Sequence, residues 1–393
     1  MGEPKLRFKA DDGSDFPNWE EKTLGELCEP LTYGMNAAAT KFDGENRYIR
    51  ITDIDDETHA FLSNDVVSPS GELDDKYLVK KGDILLARTG ASTGKSYLYH
   101  PKDGKLFYAG FLIKAHVLPS SDDYFIYSQT LTDRYGKWVK TTSMRSGQPG
   151  INANEYASYS FSVPSLPEQR KIADLLSAVD DVIAAQEAEV AAWEKRKKGV
   201  MQKLFSQEVR FKADDGSDFP DWEEKTLGDI CVYERQRSEG ANFVGTENML
   251  KDFGGVTFDN SNADGSGTLY HPGDTLMSNI RPYLKKAWLA DRKGTCSTDV
   301  LVFHPTSVEP GYLYWLIASD AFVRYVMSAA KGSKMPRGDK KHIMEMPLLL
   351  PNKDEQRKID DCLSSLNDVI IKAKNELAKW QELKKGLLQQ MFV

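Results

Sequence analysis

Cysteine is scarce in this chain: Cys28, Cys231, Cys296 and Cys362 are the only four among 393 residues, and no two stand in a Cys-x-x-Cys spacing. That pattern offers neither a disulfide framework nor a thiolate metal site, so free thiols in a reducing cytoplasm are expected. Histidine is sparse too. The six present include no pair at i, i+4, and no acidic cluster accompanies a His or Cys at ligand spacing, which leaves a metal site without support. The longest apolar runs, such as residues 346–351, are too short to cross a bilayer. No charged-then-apolar leader follows Met1, so neither export nor a membrane is expected. A formal net charge of −8 excludes a uniformly basic surface while allowing local basic faces.

What the chain has in plenty is repetition. Residues 168–205 recur as 355–392 at a constant offset of 187: EQRKI matches EQRKI, Trp193 matches Trp380, Lys198-Gly199 matches Lys385-Gly386, and Phe205 matches Phe392. Steps of four and three from Ile172 reach Leu176, Val179, Ile183, Gln186, Val190, Trp193, Lys197, Val200 and Leu204. In the second copy the same steps reach Ile359, Leu363, Leu366, Ile370, Ala373, Leu377, Trp380, Lys384, Leu387 and Met391. A mostly apolar seam of period 3.5 is the repeat of a coiled coil. Pro164, Pro167 and Pro351 stand at the entries, where proline is tolerated. Each helix would run about 38 residues, roughly 57 Å, and a helix with one apolar stripe needs a partner. The two copies supply each other.

A second repeat leads each half. Residues 7–28, RFKADDGSDFPNWEEKTLGELC, return as 210–231 with three conservative differences, at an offset of 203. The order is circular, because the first helix leads into the second RFKADDG. If a two-fold axis relates the halves, the C-terminal residues lie near the N-terminal ones and the helices run antiparallel.

Between the repeats lie two divergent segments, 29–163 and 232–350, the first longer by 16 residues. Short β-like runs at 48–51, 83–87, 111–113 and 299–303 alternate with Gly, Asn, Asp and Pro turns, and one amphipathic helix is expected in each segment, at about 123–140 and 310–330. The fold class expected is α+β: two domains of one mixed α/β fold separated by an antiparallel coiled coil. The divisions are 1–163 for the first domain with its N-terminal segment, 164–209 for the first helix, 210–350 for the second domain and 351–393 for the second helix.

Catalytic motifs fail on inspection. The loop 89–96 resembles a phosphate-binding loop, but Gly90 and Gly94 are separated by three residues where that motif needs four, and strand-like sequence follows. Asn279-Ile-Arg-Pro-Tyr283 resembles the Asn-Pro-Pro-Tyr box of adenine methyltransferases with Arg281 in place of the first proline, and no glycine-rich cofactor loop accompanies it. Asp180 and Asp181 fall on the solvent side of the helix pattern. No catalytic residue is assigned.

Four polar loops at matched places are better candidates. Arg88, Thr89, Ser92 and Lys95 correspond to Asn279, Arg281, Tyr283, Lys285 and Lys286. Lys140, Ser143, Arg145 and Gln148 correspond to Lys331, Lys334, Arg337, Lys340 and Lys341. Arg and Lys can hold guanine edges and Asn and Gln adenine edges, while further lysines take phosphates.

With the duplicated EQRKI helices, the entry SVPSLPEQRKI, the Gly-Asp-Ile/Thr-Leu runs at 82–85 and 273–276, and SGQPGIN at 146–152, the whole chain resembles a specificity subunit of a Type I restriction-modification enzyme. The resemblance implies two target-recognition domains, each reading half of a bipartite double-stranded DNA target, with the helices holding them about one to one and a half turns apart at ~34 Å per turn. It also implies a non-catalytic chain that binds two modification (methyltransferase) subunits and, through them, restriction subunits. S-adenosylmethionine then belongs to the former, ATP and Mg to the latter, and no cofactor to this chain. Two rival readings remain: an adaptor that spaces two protein-binding heads, and a nuclease or methyltransferase acting alone.

Overall fold

The strand Asp83–Ala87 is buried along its whole length, with Ile84 and Leu86 in one apolar cluster and Leu85 and Ala87 in another. Alternate side chains of a strand point to opposite faces, so its near-continuous apolar sequence records a sheet covered on both sides. This computed structural model describes residues 4–144, 147–258 and 264–392. Contacts divide the chain into two units, residues 1–188 with 375–393, and residues 189–374.

In the first unit Asp83–Ala87 lies inside a four-stranded antiparallel sheet, between Leu112–His116 and Ser96–Leu98, with Thr32–Tyr33 at the far edge. Glu20–Thr23 pairs with Ser160–Val163, closing the unit by joining its leading and trailing segments. The second unit repeats the plan. Thr275–Ser278 lies between Val300–Pro305 and Ala287–Leu289, with Cys231–Tyr233 at the edge, and Glu223–Thr226 pairs with Pro347–Leu350. Met277, Leu301 and Phe303 face one cluster, and Leu276, Val300 and Val302 the other.

The Gly-Asp runs have a structural meaning. Gly82 and Gly273 turn with φ of 88° and 91°, which a side chain resists. The aspartates that follow are buried, accept from Lys80 N and His271 N, and hold His116 and His304 Nδ1 at 2.7 Å on the neighbouring strands.

The two long helices are Leu166–Phe205 and Lys353–Met391, and each passes from one unit into the other. Their shared EQRKI motif is an anchor for the other repeat. Glu168, fully buried, takes Arg7 Nε at 3.0 Å and Nη2 at 2.8 Å; Glu355 takes Arg210 at 3.1 and 2.8 Å. Gln169 accepts from Asp122 N and donates to Pro164 O, as Gln356 does with Glu309 N and Pro351 O. Within each unit the helices run antiparallel. Asp180 meets Lys384 in the first, and in the second Glu194 meets Lys374 while Lys197 donates to Asn367. In the first unit Leu6 N also donates to Gln390 O, which brings the two ends of the chain together.

Along the expected seam, Ile172, Leu176, Val179, Ile183, Val190, Leu204, Ile359, Leu363, Ile370 and Met391 are buried, and Trp193, Val200, Leu366, Leu377, Trp380 and Leu387 are half-buried. Leu388 is buried beside Leu387, because a 3.6-residue helix drifts off a 3.5-residue seam. Ile172 and Leu176, like Ile359 and Leu363, pack into the core of their own globular unit, so the first turns of the seam are not helix-to-helix contacts.

Other expectations need correction. Each single helix expected late in a divergent segment is two: Asp123–Gln129 then Asp133–Thr142, and Pro310–Ile317 then Asp320–Ser328. Thr132 and Ser319 restart them as N-caps, accepting from Tyr135 N and Phe322 N. Asp180 is half-buried rather than solvated: Tyr124 donates to it and Lys384 pairs with it. The four cysteines are free, and burial pushes the thiols of Cys28, Cys231 and Cys296 up to about 12, leaving them unreactive. Among the described residues no helix is long and apolar enough to cross a membrane.

Candidate nucleic-acid interface

In each unit the central strand delivers the chain into a short loop, and a second loop from far along the sequence is hydrogen-bonded to it. In the first unit Gly90 N donates to Pro149 O at 3.0 Å, and Ile151 N to Arg88 O at 2.9 Å. In the second, Arg281 N donates to Pro336 O at 2.8 Å, and Lys331 and Arg337 exchange two bonds of 2.9 Å. The paired sets of candidate residues therefore come together within each unit, joined through backbone rather than side chains.

The first loop turns at Gly90 and Gly94, with φ of 74° and 93° around the 3-10 turn Gly90–Ser92. A Cβ is strained at both and sterically blocked at Gly94. At Gly90 it would stand 3.0 Å from the Gln148 amide, and at Gly94 it would stand 2.5 Å from Val139 Cγ1. The second loop has the same skeleton around Pro282–Leu284, yet its left-handed positions are Arg281 and Lys285, with φ of 50° and 54°. A side chain in that region costs about 1–2 kcal/mol relative to the ordinary one.

Two candidate lysines are corrected. Lys95 Nζ donates to Ile54 O at 2.9 Å and pairs with Asp56, leaving its side chain only 10% exposed. Lys286, at the matched position, donates to Thr246 O at 2.7 Å, and its pKa is held down by burial and then by Lys251. Both fasten a neighbouring loop from below. Ser143 and Asn279 are also buried, so neither side chain lies on the surface as expected. Arg145 lies outside the described residues.

The rest are exposed or half-exposed. Arg88 lies 4.8 Å from the Tyr33 ring, and Thr89 and Ser92 are half-buried beside it. Lys140 is exposed in the last turn of the helix Asp133–Thr142, and Gln148 is exposed on the joined loop that follows it. In the second unit Tyr283 is 47% exposed, and Lys331, Lys334, Arg337, Lys340 and Lys341 are all exposed. Several carry acidic partners: Lys285 with Asp320 at 2.8 Å, Lys331 with Asp339 at 2.8 Å, Arg337 with Asp299 at 3.2 Å and Lys341 with Glu345 at 3.6 Å. Lys198 and Lys285 together hold the Asp320 carboxyl down to about 2. Such exposed pairs are weak and exchange readily for a phosphate.

Three residues at this surface escaped the sequence reading. Tyr33, Phe111 and Met144 are exposed large side chains: the Tyr33 ring lies against Arg88, Phe111 O accepts from Arg88 N, and Met144 begins the joined loop. The available signal was Gly110-Phe111, an apolar residue placed in a turn between two strands. The rings of Tyr33 and Phe111, with the Arg88 guanidinium over the first, suit the faces and methyl groups of bases.

Residues 17–192 and 220–380 match the family model described as the Type I restriction modification DNA specificity domain. Over 420 aligned residues the chain is 22% identical to the Type I restriction enzyme MjaVIII specificity subunit of Methanocaldococcus jannaschii, across 98% of this chain and 95% of that one. A 127-residue alignment to the Type I restriction enzyme EcoDI specificity subunit of Escherichia coli has 24% identity, covering 31% of this chain and 28% of that one. Among solved structures, the S subunit of a Type-I restriction-modification system from M. genitalium superposes with a TM-score of 0.62 at 16% identity, covering 100% of this chain and 99% of that one. A chain from a type I R-M system solved for its assembly and conformational transition gives 0.55 at 18% identity, with 95% and 97% covered. These two likenesses are of fold.

Proposed function

We propose, from the premise that this chain belongs to the Type I restriction modification DNA specificity family, that its two units read the two halves of a split DNA target. The chain is a specificity subunit with two such domains. The observation that carries the finer reading is the matched loop pair: one backbone skeleton, built twice, with different side chains mounted on it. A frame that is kept while its exposed chemistry changes suits two readers of different sequences.

In this reading each loop pair docks in the major groove, with Arg88, Gln148, Arg281 and Tyr283 toward base edges and Lys140, Lys331, Lys334, Lys340 and Lys341 toward phosphates. The antiparallel helices set the unread gap between the half-sites. Exposed helix residues such as Arg170, Glu194 and Arg196, with half-buried Glu187, offer surface to two modification subunits. Those subunits supply S-adenosylmethionine and methylate adenines, which must be flipped from the duplex to be reached. Restriction subunits, with ATP and Mg, join through them in the cytoplasm.

Methylome sequencing tests this. A host without such systems, expressing the chain with its modification subunit, should acquire a bipartite methylated motif that neither protein yields alone. Exchange of residues 29–163 should alter one half-site only, and insertion of helical turns into both long helices should lengthen the gap. A soluble complex that methylates no motif would favour the spacing adaptor instead.

A further inference from the structure

Among the arginines described, the buried or half-buried ones mostly repay their place in the fold. Arg7 and Arg210 grip buried glutamates through two nitrogens each, and Arg50 grips Asp53 in the same way. Arg281 does not. Its side chain has no ion pair or hydrogen bond among the described residues, and its Nε is buried without a partner. Two residues earlier, Asn279 Oδ1 is likewise buried and unpartnered.

Arg281 is also held in the left-handed region, at φ of 50°, where the first unit has Gly90 at 74°. Lys285 is strained in the same way at the position of Gly94, but its ammonium is paired with Asp320. Glycine is permitted at both sites by the first unit's own loop, so the backbone does not require Arg281. A strained residue with no structural return points to function. Its surroundings fit a base reader: exposed Tyr283 follows in the same turn, and Lys334, Met335 and Arg337 are exposed on the joined loop.

We propose that Arg281 is the residue through which the second unit selects a guanine in its half-site, the strained turn presenting the guanidinium fork to O6 and N7. This rests on the reading of the chain as a specificity subunit. Arginine suits that task because its planar donors match both guanine acceptors at once, which a lysine cannot do.

The experiment uses the full chain with its modification subunit, reading the methylome of the host and the Tm of the purified chain. The half-site of the second unit is the one left unchanged when residues 29–163 are exchanged. In Arg281→Gly the strain is released, so Tm should hold or rise by about 2–4 °C, while one guanine of that half-site loses its preference by about 10- to 100-fold. The other half-site should be unaffected. Arg281→Lys keeps the charge and the strain but not the fork, and should lose the same preference. An unchanged motif and occupancy in both variants would overturn the inference, as would a Tm several degrees lower in Arg281→Gly, which would make Arg281 a structural pin. If the unsubstituted chain directs no bipartite motif at all, the specificity reading itself fails.

Discussion

The loops 88–96 and 279–287 follow the same path from the same strand, but they solve one steric problem in opposite ways. The first uses Gly90 and Gly94 at its two left-handed positions, and the second uses Arg281 and Lys285. Lys95 and Lys286 close both loops identically, each donating to a carbonyl of a distant segment. The pin is common and the tip is not. Backbone geometry is thus held by buried polar contacts, while exposed positions are free to change even where the new residue is strained.

The same contrast runs down the helices. Lys384 meets Asp180 as an ion pair at 2.7 Å, whereas its counterpart Lys197 meets the neutral Asn367 at 2.9 Å. Burial, with Lys374 nearby, holds the Lys197 pKa below its usual value. Its charged form is therefore penalised in the folded protein, and this cost shrinks as pH rises through its lowered pKa toward the ordinary lysine value.

The largest effect should come from the buried anchors. Glu168→Ala takes the buried carboxylate away from Arg7 and should cost about 3 kcal/mol; Glu355→Ala should cost more, since Trp222 Nε1 also donates to that carboxylate at 3.0 Å. Urea unfolding followed unit by unit would check this, and equal losses would break the asymmetry. Next, Gly94→Ala forces a Cβ to within 2.5 Å of Val139 Cγ1 at a left-handed position. It should cost about 2 kcal/mol, and a neutral result would show that the first loop accepts the strain the second carries.

Smaller still is the helix pair. Asp180→Asn should lower stability by about 1–2 kcal/mol, as it weakens the contacts of Tyr124 and Lys384, while Asn367→Asp should raise it by under ~1 kcal/mol by giving Lys197 an anion. Thermal melts of both variants would reveal the opposite signs. Smallest is the acid limb. Asp320 is held at about 2 by Lys198 and Lys285, below its unfolded value, so its stabilisation is full above about pH 4 and is lost as pH falls toward 2. Asp320→Asn should remove that part of the pH dependence, which the difference between the two acid titrations measures.

Much of the fold was legible. A seam of period 3.5 and the absence of internal proline specify a long helix locally, and both helices follow, at Leu166–Phe205 and Lys353–Met391. The breaks at Thr132 and Ser319 were also written, as capping residues before Asp133 and Asp320, but the apolar pattern runs on past them and masks the stop. The interface was legible as loops and less so as residues. Lysine is usually exposed, so Lys95 and Lys286 read as surface charges until their carbonyl partners, 41 and 40 positions away, are seen. Nothing in Ile-Arg-Pro-Tyr spells a left-handed arginine, because propensity disfavours it.

By itself the sequence determined that this protein is a duplication, that its halves are led by one motif and closed by one helix, and which stripe of each helix is apolar. These are matters of identity and period, which a chain carries in its order. Only the tertiary structure decided that the two repeated motifs bind each other, Arg7 to Glu168 and Arg210 to Glu355. It also decided which loop cations turn inward and where the unpaired guanidinium of Arg281 stands. Those outcomes depend on burial and on partners 40 to 161 residues away, where a charge left without its partner costs far more than any local preference can offset.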